Sequence, residues 1–95
     1  MVAGNGKDTE SPALLTFPCT IDVKALGRRS PRFEAIVHQL VLAHIRPEDL
    51  LATSHRDSRE GTYVAITLTV RAQSRAELDA VYGALSACPD VLMAL

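Results

Sequence analysis

Aromatic residues are scarce in this chain of 95 residues, which has two Phe, two Tyr and no Trp. Its core must therefore be aliphatic. Sheets that bind RNA usually display aromatic side chains on which bases stack, and only Tyr63, at the rim of the predicted sheet, is suitable here. The net charge of −1 provides no overall attraction for a polyanion. We expect that the chain binds no nucleic acid.

Long apolar runs are also absent. No stretch approaches the roughly 18 apolar residues of a membrane-spanning helix, and residues 2–8 contain no apolar segment typical of a signal peptide. We expect a cytoplasmic protein with no membrane partner. Residues 1–12 have little to bury, which predicts a disordered tail before a single domain over residues 13–95.

Cysteine and histidine are too few and too scattered for most of their chemistry. Cys19 and Cys88 are expected to remain free thiols, because the predicted sheet separates them by roughly 15–20 Å, beyond the reach of a disulfide. His38, His44 and His55 lack the spacing of a metal site. No nucleophile motif is present either. The sequence therefore predicts no metal, no cofactor and no enzymatic activity.

The order of patterns is the most informative feature that is present. Apolar and polar residues alternate as in strands, and two stretches have helical spacing. The predicted strands cover residues 17–27, 50–57, 63–72 and 91–95, with helices after the first and third. This order favours an α+β fold, a two-layer ferredoxin-like βαββαβ sandwich with a four-stranded antiparallel sheet and two helices on one face. The expected strand order is 4-1-3-2.

The first helix is predicted to begin with Ser30 as its N-cap and Pro31 in its first turn. It should end before Pro47. His38 is placed on the polar face. The predicted buried stripe consists of Phe33, Ile36, Val37, Leu40, Val41 and His44.

The second helix has a stronger start signal. Ser74 and Glu77 have the spacing of a capping box, in which each side chain accepts a hydrogen bond from a free backbone N–H. Pro89 should end this helix.

The turn between the first strand and the first helix is a candidate anion site. Arg28, Arg29 and Arg32 surround Ser30 at the expected helix N-terminus, where free N–H groups attract negative charge. Arg28 and Arg29 could hold a carboxylate or phosphate between them. The alternative is a solvated basic turn whose arginines pair with neighbouring acids such as Glu34.

The predicted sheet also offers surfaces to a partner. The second strand lies at an edge, and Arg56, Asp57 and Arg59 protect only its far end from pairing. This edge, or the first helix, could form a homodimer. The side of the sheet without helices should display Thr20, Asp22 and Lys24 from one strand and Ala65, Thr67, Thr69 and Arg71 from another.

Several short motifs resemble the YbeD-like family of small bacterial proteins, whose fold is ACT-like. The resemblance covers residues 14–95. Its carriers are Leu14-Leu15-x-Phe17-Pro18, Lys24-x-x-Gly27, Ser58-x-x-Gly61-x-Tyr63 and Val91-x-Met93-x-Leu95. The resemblance implies a small-molecule site at the turn after the first strand, where Gly27 would allow a ligand to approach closely. It also implies a protein partner linked to lipoate metabolism, since such proteins are often encoded beside lipoate-attachment enzymes.

Two functional interpretations follow. The first is a non-catalytic regulatory domain that senses a small anionic metabolite at the 27–32 turn, with Gly27, Arg28, Arg29, Ser30 and Arg32 as the ligand-binding residues. The second is a protein–protein interaction adaptor that uses the sheet edge or the open face and binds no small molecule.

Overall fold

Alternating apolar residues place one side of each strand against two helices. The structure, a computed structural model, describes residues 15–95, so the predicted tail over residues 1–12 lies outside the described residues. The elements are β1 (Cys19–Arg28), α1 (Phe33–Leu42), a 3₁₀ turn (Pro47–Asp49), β2 (Leu50–Asp57), β3 (Tyr63–Ala72), α2 (Arg75–Ala87) and β4 (Val91–Ala94). In the part of the chain that is described, no helix is long and apolar enough to cross a membrane.

The sheet has the order β2-β3-β1-β4, and every neighbouring pair is antiparallel. This confirms the predicted ferredoxin-like sandwich, its strand order and the edge position of β2. β1 and β3 pair along all ten residues of each strand. β4 covers only the second half of β1, where Leu26 lies opposite Met93. Lys24 and Leu95 extend this pairing by exchanging backbone hydrogen bonds of 2.9 and 2.8 Å.

The core between the sheet and the helices is aliphatic, as the composition predicts. Phe33 is the only buried aromatic side chain in the described range. Both helices contribute three buried residues each, namely Phe33, Val37 and Val41 from α1 and Leu78, Val81 and Leu85 from α2. Cys19 and Cys88 lie half-buried at the margin of this core, and both are free thiols, as predicted.

Helix α1 begins later than the sequence predicts. Ser30 and Pro31 form a turn, in which the N–H of Phe33 donates to the carbonyl oxygen of Ser30 at 3.3 Å, and the helix starts at Phe33. No side chain caps it, so the prediction that Ser30 is its N-cap was wrong. Ser and Pro are as typical of turns as of helix starts, and the local pattern cannot separate the two.

Helix α1 also ends earlier than predicted, at Leu42. His44 follows the helix and is exposed, so its predicted place in the buried stripe was wrong. Ile45, which is 6% exposed, enters the core instead. The prediction extended helical spacing past residue 42, and the turn there changes which residue points inward.

Helix α2 begins where the capping box predicts. The Oγ of Ser74 accepts a hydrogen bond from the N–H of Glu77 at 3.1 Å. Oε1 of Glu77 accepts from the N–H of Gln73 at 2.8 Å, one residue before the expected donor. Two backbone donors at the helix start are therefore satisfied by side chains.

Candidate functional site

In the candidate anion turn, the side chains of Arg28 and Arg29 lie on opposite sides of the sheet. The guanidinium carbon of Arg28 lies 5.9 Å from the centre of the Tyr63 ring, on the side away from the helices. Nε of Arg29 lies 3.3 Å from Oδ2 of Asp57, on the helix side. Neighbouring residues of an extended chain point to opposite faces. The structure therefore does not bring the two arginines together around one anion.

The other predicted ligand-binding residues of this turn do not point toward a common site. Ser30 and Arg32 are exposed, and Arg32 occupies the N-cap position without a capping side chain. Gly27 is buried, and a Cβ there would overlap the Phe33 ring and lie 2.6 Å from the carbonyl oxygen of Asp90. Close packing of the ring and a neighbouring loop thus explains the glycine, and ligand approach at Gly27 remains a prediction.

A small cleft of about 170 Å³ lies between the start of α1 and strand β2. Its charged side chains are Arg29, Glu34 and Asp57, and Nδ1 of His55 lies 3.7 Å from Oε1 of Glu34. One arginine faces two carboxylates, so the cleft offers an entering anion no excess of positive charge from its Arg and acidic side chains. The alternative interpretation of paired arginines fits one of the three arginines of the turn: of these three, only Arg29 forms an ion pair among residues 15–95, and its acid is Asp57 and not Glu34.

Helix α1 is tied to strand β2 by further polar contacts. Nε2 of His38 lies 3.0 Å from Oγ1 of Thr53. His38 is half-buried and faces β2, which corrects its predicted place on a polar, outward face. In the described range, no group of three His, Cys, Asp or Glu side chains is close enough to hold a metal ion.

One carboxylate of the described residues is buried. Asp49, at 2% exposed, lies in the 3₁₀ turn. Its Oδ2 is 3.3 Å from Nε2 of Gln73 and 3.4 Å from Nε of Arg46. Asp49 therefore anchors the turn before β2 to the loop before α2, and its contacts are structural.

The side of the sheet without helices, here called the open face, carries the most distinctive surface. Its side chains come from alternate positions of all four strands. They are Thr20, Asp22, Lys24, Leu26 and Arg28 from β1, Ala52, Ser54 and Arg56 from β2, Tyr63, Ala65, Thr67, Thr69 and Arg71 from β3, and Met93 and Leu95 at the end of the chain. The predicted positions on β1 and β3 are confirmed. Apart from Tyr63, the part of this face nearest the β2–β3 hairpin was not predicted from the sequence.

That part is both apolar and basic, and we call it the basic–apolar patch. It consists of Leu26, Arg28, Arg56, Arg59, Tyr63 and Met93. Leu26 lies between Met93 on β4 and Ala65 on β3. Met93 is 51% exposed and Tyr63 is 38% exposed. Water thus contacts apolar side chains that three arginines surround.

Known proteins that are similar to this chain identify its family. A family model described as a protein of unknown function (DUF493) matches residues 12–95. The chain belongs to this family. UPF0250 proteins of Paraburkholderia phytofirmans and Nitrosomonas europaea are 35% and 34% identical to it over 83 residues, which cover 87% of this chain and 93% and 95% of theirs. The YbeD-like resemblance is thereby confirmed.

Two solved structures share the fold at low sequence identity. Protein HP0495 from H. pylori superposes with a TM-score of 0.68 at 14% identity, covering 97% of this chain and 96% of that one. Protein TM1266 from Thermotoga maritima gives a TM-score of 0.60 at 17% identity, covering 80% and 92%. The DUF493 family and the ferredoxin-like fold are therefore established, and the function must be argued from the surface of this chain.

Proposed function

We propose that the chain is a non-catalytic interaction module that binds a partner protein on its open face. The observation that carries this proposal is an apolar surface in which Tyr63, Met93 and Leu95 are exposed and Leu26, opposite Met93, is half-buried. Leu95 is 64% exposed and lies next to Lys24, one pleat along the sheet from Met93. Among residues 15–95, Tyr63, Met93 and Leu95 stay exposed, and clusters of exposed apolar side chains are typical of binding sites for proteins.

The regulatory interpretation receives less support from the same geometry. Two of its five predicted ligand-binding residues, Arg28 and Arg29, point to opposite sides of the sheet, and the cleft beside Arg29 already contains two carboxylates. A small anion entering this cleft would displace Asp57 from Arg29 and meet Glu34. Sensing of an anionic metabolite at the 27–32 turn thus remains a prediction, and stabilisation by an anion that the Arg29→Ala variant loses would support it.

Site-specific photo-crosslinking in the native cells tests the interaction module. A photoreactive residue replaces Met93 on the open face or, as a matched control, Ser86, which is exposed on α2 on the opposite side of the molecule. We expect one protein adduct from position 93 and none from position 86. The identified partner is then purified and its affinity for the wild-type chain is measured.

A second variant connects the adduct to binding. Met93→Glu places a charge in the apolar surface and should weaken binding of the purified partner by about tenfold, the effect of roughly 1.4 kcal/mol. Because the Met93 side chain is already half exposed, the melting temperature of the Met93→Glu variant should stay near that of the wild type. Adducts of equal yield from positions 86 and 93, or unchanged affinity of Met93→Glu, would contradict the proposal.

A further inference from the structure

Charges are segregated between the two sides of this sheet. On the helix side and in the loops, Arg29 and Arg46 lie within 3.3–3.7 Å of carboxylate oxygens, and Arg75 lies 3.5 Å from Asp79. In contrast, no carboxylate among residues 15–95 lies within 4.0 Å of Arg28 or Arg56 on the open face. The end of the open face near the β2–β3 hairpin therefore keeps its positive charge available to a partner, whereas Asp22, which lies farther along this face, accepts a hydrogen bond from Thr69 at 2.8 Å.

The basic–apolar patch concentrates this charge. Arg28, Arg56 and Arg59 contribute three positive charges. The nearby negative charges are Glu60 in the adjoining hairpin and Asp57, which lines the same surface but pairs with Arg29 at 3.3 Å. Because the whole chain has a net charge of −1, the chain without those three arginines carries −4. A nearly neutral protein thus presents one locally positive surface.

Arg28 is also held in place. Its guanidinium lies over the Tyr63 ring at 5.9 Å, within the range of a cation–π contact. Tyr63 is opposite Arg28 in the β1–β3 pairing, so the sheet fixes both side chains at the same point. Such a contact lowers the entropy that Arg28 loses when it binds a carboxylate.

We infer, on the basis of the proposed interaction function, that the partner presents an acidic segment with apolar side chains to the basic–apolar patch. Carboxylates would pair with Arg28, Arg56 and Arg59, and apolar side chains would cover Leu26 and Met93. Electrostatic complementarity of this kind selects partners and speeds their association.

The same surface disfavours two other binding partners, a second copy of this chain and a nucleic acid. A second copy whose basic–apolar patch met this one would place three arginines against three arginines, and like charges in contact repel. A nucleic acid uses stacking platforms, and the single aromatic of the patch, Tyr63, already carries Arg28 on its ring. Exposed aliphatic side chains such as Met93 offer no stacking to bases.

Four short probes of equal length distinguish these occupants. They are a peptide of alternating Glu and Leu, a peptide of alternating Glu and Ser, a peptide of alternating Lys and Leu, and oligothymidylate. Each is titrated into the ¹⁵N-labelled full chain, and amide chemical shifts and dissociation constants are measured. We expect the Glu–Leu peptide to bind most tightly and to shift the amides of Leu26, Arg56, Tyr63 and Met93.

A matched pair of charge reversals tests whether the patch itself is responsible. Arg56→Glu and Arg32→Glu change the net charge equally, but Arg32 is exposed at the start of α1, outside the patch. Arg56→Glu should weaken binding of the Glu–Leu peptide by about tenfold, because a repulsion replaces an attraction. Arg32→Glu should change the affinity by less than about twofold, since water and salt screen an exposed charge that makes no direct contact with the bound peptide. As a control, ¹H–¹⁵N spectra of both variants that resemble the wild-type spectrum would show that the variants fold.

Each other outcome overturns the inference. Tighter binding of oligothymidylate, tighter binding of the Lys–Leu peptide, shifts outside the open face, equal losses in the two variants, or no binding of the Glu–Leu peptide would each do so. If the crosslink at position 93 is nevertheless found, the interaction function stands and only the acidic chemistry of the partner is wrong. If that crosslink is absent as well, both fail.

Discussion

Gly27 provides a sharp test of how the sheet and helix α1 pack. It lies near the end of β1, and a Cβ at this position would overlap the Cε1 and Cζ atoms of Phe33 and lie 2.6 Å from the carbonyl oxygen of Asp90. Phe33 is 2% exposed, so its ring cannot move into solvent without leaving the core. Gly27→Ala should therefore destabilise the protein although it adds only one methyl group.

The magnitude follows from overpacking. Inserting a carbon into a well-packed core costs about 1–3 kcal/mol. For a domain of this size, each 1 kcal/mol lowers the melting temperature by roughly 4–8 °C. We expect the Gly27→Ala variant to melt several degrees below the wild type, with an unchanged dependence of unfolding free energy on urea.

Gly83→Ala is the matched control. Gly83 lies within α2, and a Cβ there would have no atom within 4 Å. Replacing a helical glycine by alanine stabilises a helix by about 0.5–1 kcal/mol. The same substitution should thus have opposite signs at the two glycines, as measured by thermal and urea unfolding.

A double variant identifies the atoms responsible. Phe33→Leu removes the ring atoms that the new methyl group would meet, so Gly27→Ala should cost less in the Phe33→Leu background than in the wild type. An unchanged stability of Gly27→Ala, or strictly additive costs in the double variant, would refute the packing argument.

Three further predictions concern stability. Ser74→Ala should lose the N-cap of α2 and about 1 kcal/mol, whereas Ser86→Ala, near the end of the same helix, should change urea unfolding by less than about 0.5 kcal/mol; equal losses would contradict this. Asp49→Ala should cost about 1–3 kcal/mol, because it leaves the half-buried amide partner of Asp49 without its acceptor, and a cost no larger than that of the exposed Glu48→Ala would contradict it. Burial raises the pKa of Tyr82 above its ordinary value of 10.0. The stability linked to this raised pKa is complete below about pH 10 and is lost as the pH rises through the raised pKa. Tyr82→Phe should therefore reduce the loss of unfolding free energy at alkaline pH, as measured by urea titrations over a pH series. An identical loss in both proteins would contradict this.

The strands and the start of α2 were predictable because their signals are local. Alternation along residues 63–72 depends only on which residues are apolar, and the capping box spans four residues. The ends of α1 were not, because Ser30 and Pro31 suit a turn and a helix start equally well. The position of His44 depended in turn on where that helix ends, which is decided by packing beyond it.

The site was harder to predict, for a different reason. Arg28 and Arg29 are adjacent in sequence, and adjacency suggested a cluster, yet an extended strand sends neighbours to opposite faces. Conversely, Arg28 and Arg56 are distant in sequence and share one face only through β3, which lies between their strands. The net charge of the whole chain conceals this segregation. The contact of His38 with Thr53 likewise requires the packing of α1 on β2.

The most direct test of the account uses the purified partner identified by the crosslink at position 93. Its affinity is measured for the wild type, Arg56→Glu and Arg32→Glu at about 0.1 M and about 1 M salt, which shortens the screening length from about 10 Å to about 3 Å. If acidic groups of the partner bind the patch, Arg56→Glu should lose about tenfold in affinity, Arg32→Glu should change little, and wild-type binding should be weaker at high salt. Equal affinities of the two variants, or wild-type binding that is unaffected by salt, would contradict this account.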